Sequence, residues 1–429
     1  MKRKLLESIL KPLTRAILKR YRPVVIAVTG SVGKTSTKEA IAAVLSRKFS
    51  VGKTRQNLNT EVGLMIALMN GVNAKGSVGG WVRNVFCALR LIIFRSVSYP
   101  EYMVIEMGAD RPGDIRKLIN LARPQVGVVT AIGDIPVHVA HYKDIDAVAY
   151  EKQGIIEVLE PGNRAILNGD DPRVISMQDH TQAGVLTFGF SEHSSVRIVD
   201  YAHSNQKSNT GRMGIFFRLQ YQGSSVPIHL SGVLGRPYAY ACAAAAAVGI
   251  AHGMHLVDVA KGLESFEPEK GRMRMIPGIK QTTILDDSYN AAPAAMEAAL
   301  ETIRDMKGQN HIIAVLGDML ELGDYSEQAH RAIGKRAAGF CDVICFVGEN
   351  MRFAFSEAQQ SGFDKDRLFH CKDSVAALEI LKPLLRQGDI VLVKGSQGMR
   401  MERIVERLMA NPADAADLLV RQTKEWKAN

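Results

Sequence analysis

The stretch Val24-Val25-Ile26-Ala27-Val28-Thr29-Gly30-Ser31-Val32-Gly33-Lys34-Thr35-Ser36-Thr37 constrains this chain more than any other. A run of β-branched and small apolar residues, the pattern of a buried strand, stops at a glycine-bearing turn and restarts as the helix-prone Lys38-Glu39-Ala40-Ile41-Ala42-Ala43-Val44-Leu45. Strand, turn and helix in that order make an anion cradle. Gly30 and Gly33 lack the Cβ atoms that would keep a phosphate from the backbone N–H groups, and the helix turns its positive end toward the same point. Lys34 supplies an ammonium for the terminal phosphates, and the Thr35 hydroxyl suits Mg²⁺. One position departs from the general pattern, which has glycine where Val28 stands. The predicted ligand is a nucleoside triphosphate held by Gly30, Ser31, Val32, Gly33, Lys34, Thr35 and Ser36.

At 429 residues the chain is long for one domain, and two or three are expected. Its 46 % apolar content with mixed charge is that of a globular enzyme. The five cysteines have no paired short spacing; Cys341 and Cys345 sit in an apolar stretch and are expected to pack, so neither disulfides nor zinc are implied. No apolar run approaches a membrane span and no signal-type cleavage site is present, which predicts a cytoplasmic protein.

The charge is unevenly spread. Residues 1–23 carry eight basic side chains against Glu7, a net +7 of the chain's +10. Leu5, Leu6, Ile9, Leu10, Leu13, Ile17 and Leu18 recur there near helical spacing, interrupted by Pro12. Two readings stand: a leader helix packed on the first domain, or a basic amphipathic helix resting through residues 1–20 on the inner face of an anionic membrane. The stretch 81–95, with recurring arginines and a wide apolar face, is open to the same pair. Nucleic acid is not an expected partner, because the excess charge lies in one terminal helix without an aromatic-basic platform.

Further along, Tyr102-Met103-Val104-Ile105-Glu106 reads as a buried strand ending on a carboxylate, a position suited to Mg²⁺. Residues 125–133 and 164–168 are further strands. Strands alternating with helical stretches predict an α/β fold with a mostly parallel sheet. Between about 185 and 232 the pattern becomes alternating strands and polar turns, expected as antiparallel hairpins capping the first domain. Residues 239–251 form an alanine-rich, tightly packed helix. A second α/β pattern starts near 275, with strands at 283–287, 311–316, 343–347 and 389–393. The organisation expected is a basic helix over 1–23, a P-loop ATPase domain over 24–274 and a Rossmann-like α/β domain over 275–429.

Three strings in the second half carry a family resemblance: Asp286-Asp287-Ser288-Tyr289-Asn290-Ala291-Ala292-Pro293, Val315-Leu316-Gly317-Asp318-Met319-Leu320-Glu321-Leu322-Gly323, and Val393-Lys394-Gly395-Ser396-Gln397-Gly398-Met399-Arg400-Met401-Glu402. With the phosphate loop they resemble the Mur ligases, ATP-dependent amide-forming enzymes of peptidoglycan synthesis, and specifically the D-alanyl-D-alanine-adding (MurF) branch. The resemblance implies ATP, two Mg²⁺ ions, and an acyl phosphate formed on a carboxylate and then attacked by an amine.

It also assigns residues. Lys34 and Thr35 match the phosphate and first-metal positions, Glu106 a ligand of that metal, and Asn59 and Glu61 a polar turn nearby. His138, with His141 as competitor, is similar to the histidine on a second metal, and Lys152 to a lysine carried as a carbamate, an anion suited to bridging metals. Arg272 is similar to an arginine reaching the γ-phosphate, and Asp287 to the acid on the ribose, with Asn290 beside it. Lys394 and the loop 395–398 are matched to the incoming amine. Asn168-Gly169-Asp170-Asp171-Pro172 matches a family turn of unassigned contact.

Two departures bear on the substrates. About 23 residues precede Val24 where the family pattern has a UDP-sugar-binding domain, so the acceptor is expected to be held otherwise, by a partner protein, the basic helix or membrane attachment. Near Gly235-Arg236 the family's adenine-contacting amides are replaced by Pro237, Tyr238 and Ala241, which leaves backbone groups or stacking on Tyr238 or Tyr240. The reading is a carboxylate-amine ligase taking small-molecule or peptide substrates. Its rivals are a shortened paralogue joining another amino acid or dipeptide to a non-UDP acid, and a non-catalytic nucleotide-binding partner of a complete ligase.

Overall fold

A computed structural model describes residues 2–427 apart from 55–59, 73, 75–76, 95, 97, 135–140 and 205–212; the side chains of residues 2–5 and 204 are not described. The chain opens with α1 (Lys2–Tyr21), then β1 (Val24–Thr29), α2 (Lys34–Leu45), β2 (Val51–Lys53), α3 (Glu61–Leu68), α4 (Val78–Ile93), β3 (Tyr102–Glu106), α5 (Asp114–Leu121) and β4 (Val126–Val129). Next come α6 (Ile145–Glu157), β5 (Arg164–Asn168), α7 (Pro172–Ile175), β6 (Gly184–Gly189), β7 (Val196–Ser204), β8 (Gly214–Tyr221), β9 (Ser224–Ser231), α8 (Arg236–Ala251) and α9 (Leu256–Leu263). The remainder runs through β10 (Arg274–Pro277), β11 (Thr283–Asp287), α10 (Pro293–Asp305), β12 (Ile312–Gly317), α11 (Ser326–Ala338), β13 (Val343–Val347), α12 (Met351–Gln360), β14 (Leu368–Cys371), α13 (Ser374–Leu384), β15 (Ile390–Lys394) and α14 (Glu402–Leu408).

Two sheets result, both flanked by helices. The first has nine strands in the order β2-β3-β1-β4-β5-β6-β7-β8-β9, the second six in the order β10-β11-β15-β12-β13-β14. β1 lies between β3 and β4, parallel to both, and its Val25, Ile26, Ala27 and Val28 are buried, as expected of a strand covered on both faces. In the second sheet β15, last of its strands in sequence, is inserted between β11 and β12. The α/β class and mostly parallel sheets read from the sequence are those observed.

Three local expectations change. The hairpins near 185–232 do not cap the first sheet; β7, β8 and β9 extend it edgewise, antiparallel to one another, because their alternating pattern buries one face against α8 and α9. Pro12 does not interrupt α1. Its ring is on the solvent side, where the carbonyl it leaves unbonded can meet water. The short strands β2, β10 and β14 escape a reading based on apolar runs because each has only three or four residues.

The alanines of α8 are buried at positions 239 and 241 and throughout 243–247, letting α2 and α9 close against it. At Gly262 in α9 a Cβ would stand 2.7 Å from the backbone Cα of Val44 in α2. Alanine would gain about 1 kcal/mol of helix propensity, but an overpacked backbone contact costs about 1–3 kcal/mol, and the second effect should win. Gly262→Ala is therefore expected to lower the thermal midpoint; a raised midpoint would show that α2 and α9 can separate freely.

Candidate functional site

The turn after β1 is set by two glycines. Gly30 has φ of 146° and a Cβ there would lie 2.0 Å from Thr130 Oγ1; Gly33 is left-handed, with φ of 85°, and caps α2. The loop is tied to the end of β4: Ser31 N donates to the Ala131 carbonyl at 2.6 Å, and the Thr130 hydroxyl to the Val32 carbonyl at 2.6 Å. Val28, the departure from the general pattern, is buried inside β1, and the turn starts only at Gly30. The Lys34 ammonium folds back on the loop, donating to the Gly30 carbonyl at 2.8 Å and that of Ser31 at 3.3 Å. The Ser31 hydroxyl is buried without a partner among the described residues, as fits a loop built to wrap an oxyanion.

A cavity of about 330 Å³ opens over this loop and is walled by both sheets. The first supplies residues 31–36, Glu106 at the end of β3 and Asp110; the second supplies Asp287 at the end of β11, Tyr289, Asn290 and Lys394 at the end of β15. Carboxyl ends of parallel strands thus converge from two directions. Arg272, between the sheets, closes the gap: its Nη2 donates to Thr35 Oγ1 at 3.1 Å and its guanidinium lies 4.4 Å from the Tyr289 ring centroid.

Positive groups are crowded here. Burial lowers the pKa of Lys34, and Arg272 lowers it further, while Glu106 and Asp110 oppose the shift. Lys152, on α6 and only 3 % exposed, is held down to about 7, by burial first and by the Lys34 ammonium second, against Glu151 and Asp110. An amine of that pKa is about half uncharged in neutral solution, and the uncharged form is the one that reacts with carbon dioxide. The oxygen donors Thr35 and Glu106, with the unpartnered Ser31 hydroxyl, fit a magnesium-bound polyphosphate. Among the described residues no three His, Cys, Asp or Glu side chains converge on a metal site.

Not every predicted residue stands free in the cleft. Asp287 is engaged on both oxygens: Oδ2 accepts from Lys394 Nζ at 2.6 Å and Oδ1 from Met273 N at 3.1 Å. Lys394 is buried and also donates to the Asn290 carbonyl at 3.0 Å, so it braces the cleft wall and does not reach out for an amine. Asn290 is exposed, with Oδ1 near Gln397 N at 3.4 Å. Asn59 and His138 lie outside the described residues. His141 is exposed, and Glu61 starts α3 at a neighbouring opening shared with Asp110.

A second cavity, of about 340 Å³, meets the first on Val32 and Gly33 and extends under the ends of β4 and β5. The turn 168–172 lines it. Asp170 accepts from Phe190 N (2.6 Å), Ser191 N (2.9 Å) and the Tyr240 hydroxyl (2.8 Å), while Asp171 caps α7 and accepts from Ile132 N at 2.8 Å. Of the two tyrosines, only Tyr240 belongs to this wall. Tyr238 is buried and spends its hydroxyl on the Arg272 carbonyl, fixing the backbone of the bridging arginine.

Sequence reasoning missed three contributors. Asp110 faces both Lys34 and Lys152 electrostatically. Arg421 donates to the Ser288 carbonyl at 3.1 Å and to that of Tyr289, and pairs with buried Glu402 at 2.9 Å, propping the Asp286-Asp287-Ser288-Tyr289 turn from the C-terminal tail. Asp286 is buried beneath that turn, its pKa pushed up to about 6 by burial. Asp286 and Glu402 lay within quoted strings without a role assigned to them; Asp110 and Arg421 carry no local signal.

Comparison with known proteins agrees with this geometry. Residues 28–79 and 83–249 match the Mur ligase middle domain, and residues 271–397 the Mur ligase, glutamate ligase domain. The UDP-N-acetylmuramoyl-tripeptide–D-alanyl-D-alanine ligase of Bacillus subtilis (strain 168) is 30 % identical over 409 residues, covering 94 % of this chain and 79 % of that protein. Crystal structure I of MurF from Acinetobacter baumannii superposes with a TM-score of 0.77 at 27 % identity, covering 94 % of this chain and 80 % of that one. The MurF ligase of Thermotoga maritima in complex with ADP gives 0.74 at 25 % identity, covering 94 % and 82 %.

Lys152 offers a test independent of turnover. Between about 7 and the ordinary lysine range, the unfolded chain holds a proton that the folded chain lacks, so this residue makes stability rise with pH across that window; below it both states are protonated and the slope vanishes. In carbonate-free buffer, Lys152→Met should flatten the rise of thermal midpoint with pH and raise the midpoint near neutrality. Parallel profiles for the two proteins would place the lysine in a wetter, unperturbed setting.

Proposed function

The chain belongs to the Mur ligase family, whose members are ATP-dependent ligases, and we propose that it joins D-alanyl-D-alanine or a similar amine to the carboxylate of a peptidoglycan-precursor peptide through an acyl phosphate. What carries the reading is the meeting, in one cleft, of a phosphate loop whose lysine has a pKa lowered by burial, the strand-end carboxylate Glu106 and an arginine from between the sheets bonded to Thr35. The catalytic unit spans 24–274 and the C-terminal unit 275–429.

The triphosphate lies on the N–H groups of residues 30–36, its outer phosphates between Lys34 and Arg272, and its base enters the second cavity beside Tyr240. Asp287 and Asn290 approach the sugar from the other sheet. Thr35 and Glu106 would hold one Mg²⁺ and a carbamylated Lys152, with His138, a second, and the ions would supply charge neutralisation between phosphate and carboxylate. An acceptor carboxylate oxygen bonds to the γ-phosphorus as the bond to the β,γ-bridging oxygen breaks and ADP departs. The amine nitrogen then adds to the acyl carbon, and collapse of the tetrahedral adduct breaks the C–O bond to phosphate, releasing inorganic phosphate and the amine proton. Lys34 and Arg272 stabilise the charge that accumulates on the transferring oxygens.

Phosphate release should require ATP, Mg²⁺, UDP-N-acetylmuramoyl-tripeptide and D-alanyl-D-alanine together, and Lys34→Ala or Arg272→Ala should lower kcat by about 100-fold or more. Release that needs an acid and an amine, but not these two, keeps the chemistry and changes the reactants. Release indifferent to the amine would overturn the ligase reading. Lys152→Ala should be inactive and regain activity in acetate or formate, whose carboxylate replaces the carbamate; an unaffected variant would remove the carbamate from the mechanism.

A further inference from the structure

The exposed apolar surface of the chain is concentrated on one helix. Of the eleven large hydrophobic side chains exposed among the described residues, Val78, Val82, Phe86, Leu89 and Ile93 belong to α4, Phe94 caps it and Ile9 lies on α1. The five α4 positions follow spacings of three and four and form a single stripe along the whole helix, each 42–78 % exposed. The opposite face packs: Asn84 and Ala88 are buried, and Trp81, Val85, Leu91 and Ile92 lie against the core that takes Leu10 and Ile17 of α1. The Tyr21 hydroxyl ties the C-terminal ends of the two helices together, donating to the Leu91 carbonyl at 3.0 Å and accepting from Ser96 N at 2.8 Å.

The sequence of the same two segments is strongly basic. Residues 62–100 contain Lys75, Arg83, Arg90 and Arg95 and no acid at all; with the +7 of residues 1–23 they carry +11, while the rest of the chain sums to −1. Arg83 and Arg90, seven apart, lie along one flank of the stripe and are exposed, as are Arg15, Lys19 and Arg20 of α1.

We propose that α1 and α4 form a docking surface for an anionic lipid bilayer, the stripe entering the head-group boundary and the flanking cations meeting lipid phosphates. A stripe one helix wide, without an acid or amide in it and flanked by long cations, matches a surface that is apolar inside and anionic outside. A second copy is a poor occupant, because it would bring the same excess of positive charge against this one. The surface stands independently of the ligase reading: it lies on α1 and α4 and uses no residue of the cleft.

Flotation of the full chain with phosphatidylcholine vesicles, with and without phosphatidylglycerol, tests this. Binding is expected with the anionic lipid, weakening as salt rises. Val82→Ser/Phe86→Ser should weaken it about tenfold or more, and Arg83→Glu/Arg90→Glu should weaken it and reduce its salt dependence. Absence of wild-type binding to both vesicle types would overturn the proposal, as would variants that bind like the wild type. A dimer dissociated by Phe86→Ser, with no vesicle binding, would overturn it in favour of self-association.

Discussion

The turn between β1 and α2 sets the terms for the rest of the molecule. Thr130, at the end of β4, reaches so close to Gly30 that no side chain fits, and its hydroxyl holds the Val32 carbonyl. The loop's amide groups are thereby fixed in direction before any ligand arrives, which spares a bound anion the cost of ordering them. This rigidity comes from the neighbouring strand; a Gly-Lys-Thr turn on its own would not possess it.

Around that fixed loop the chain stacks positive charge and limits its cost by burial and pairing. Burial lowers the proton affinity of both Lys34 and Lys152, Arg272 lowers that of Lys34 further and Lys34 that of Lys152, while Asp110 opposes both shifts. Arg272 cannot shed its charge, and it is steadied by the Tyr289 ring and the Tyr238 hydroxyl on its own carbonyl. The Tyr289 turn is itself propped by Arg421 and Glu402. A polyanion entering the cleft meets cations already desolvated and aimed, so its charge is neutralised without reorganising solvent.

The cleft and the α1–α4 surface are built in different ways. The cleft face takes its side chains from strand ends of both sheets, so its shape depends on how the sheets are apposed. The α1–α4 face is one helix pair packed on the core that covers one side of the first sheet, which also takes Val25 and Ala27 of β1 and Ile105 of β3.

What the sequence determined was local. The β-branched run before Gly30, the carboxylate at the end of Tyr102–Glu106 and the three strings of the second half each act through residues adjacent in the chain, so the α/β class, the phosphate loop and the family could be read directly. The tertiary structure alone decided what those residues touch. Lys394 resembles a substrate-facing lysine in its string, yet across the sheet it is committed to Asp287. Tyr238 was a candidate stacking ring, and packing buried it under Arg272. Asp110 and Arg421 carry no motif, because their contacts arise only when segments distant in sequence are brought together; the stretch 81–95 could be read as packed or as outward-facing, and only packing decided which of its side chains are exposed. Burial, on which the lowered pKa of Lys152 depends, is likewise a property of the assembled fold.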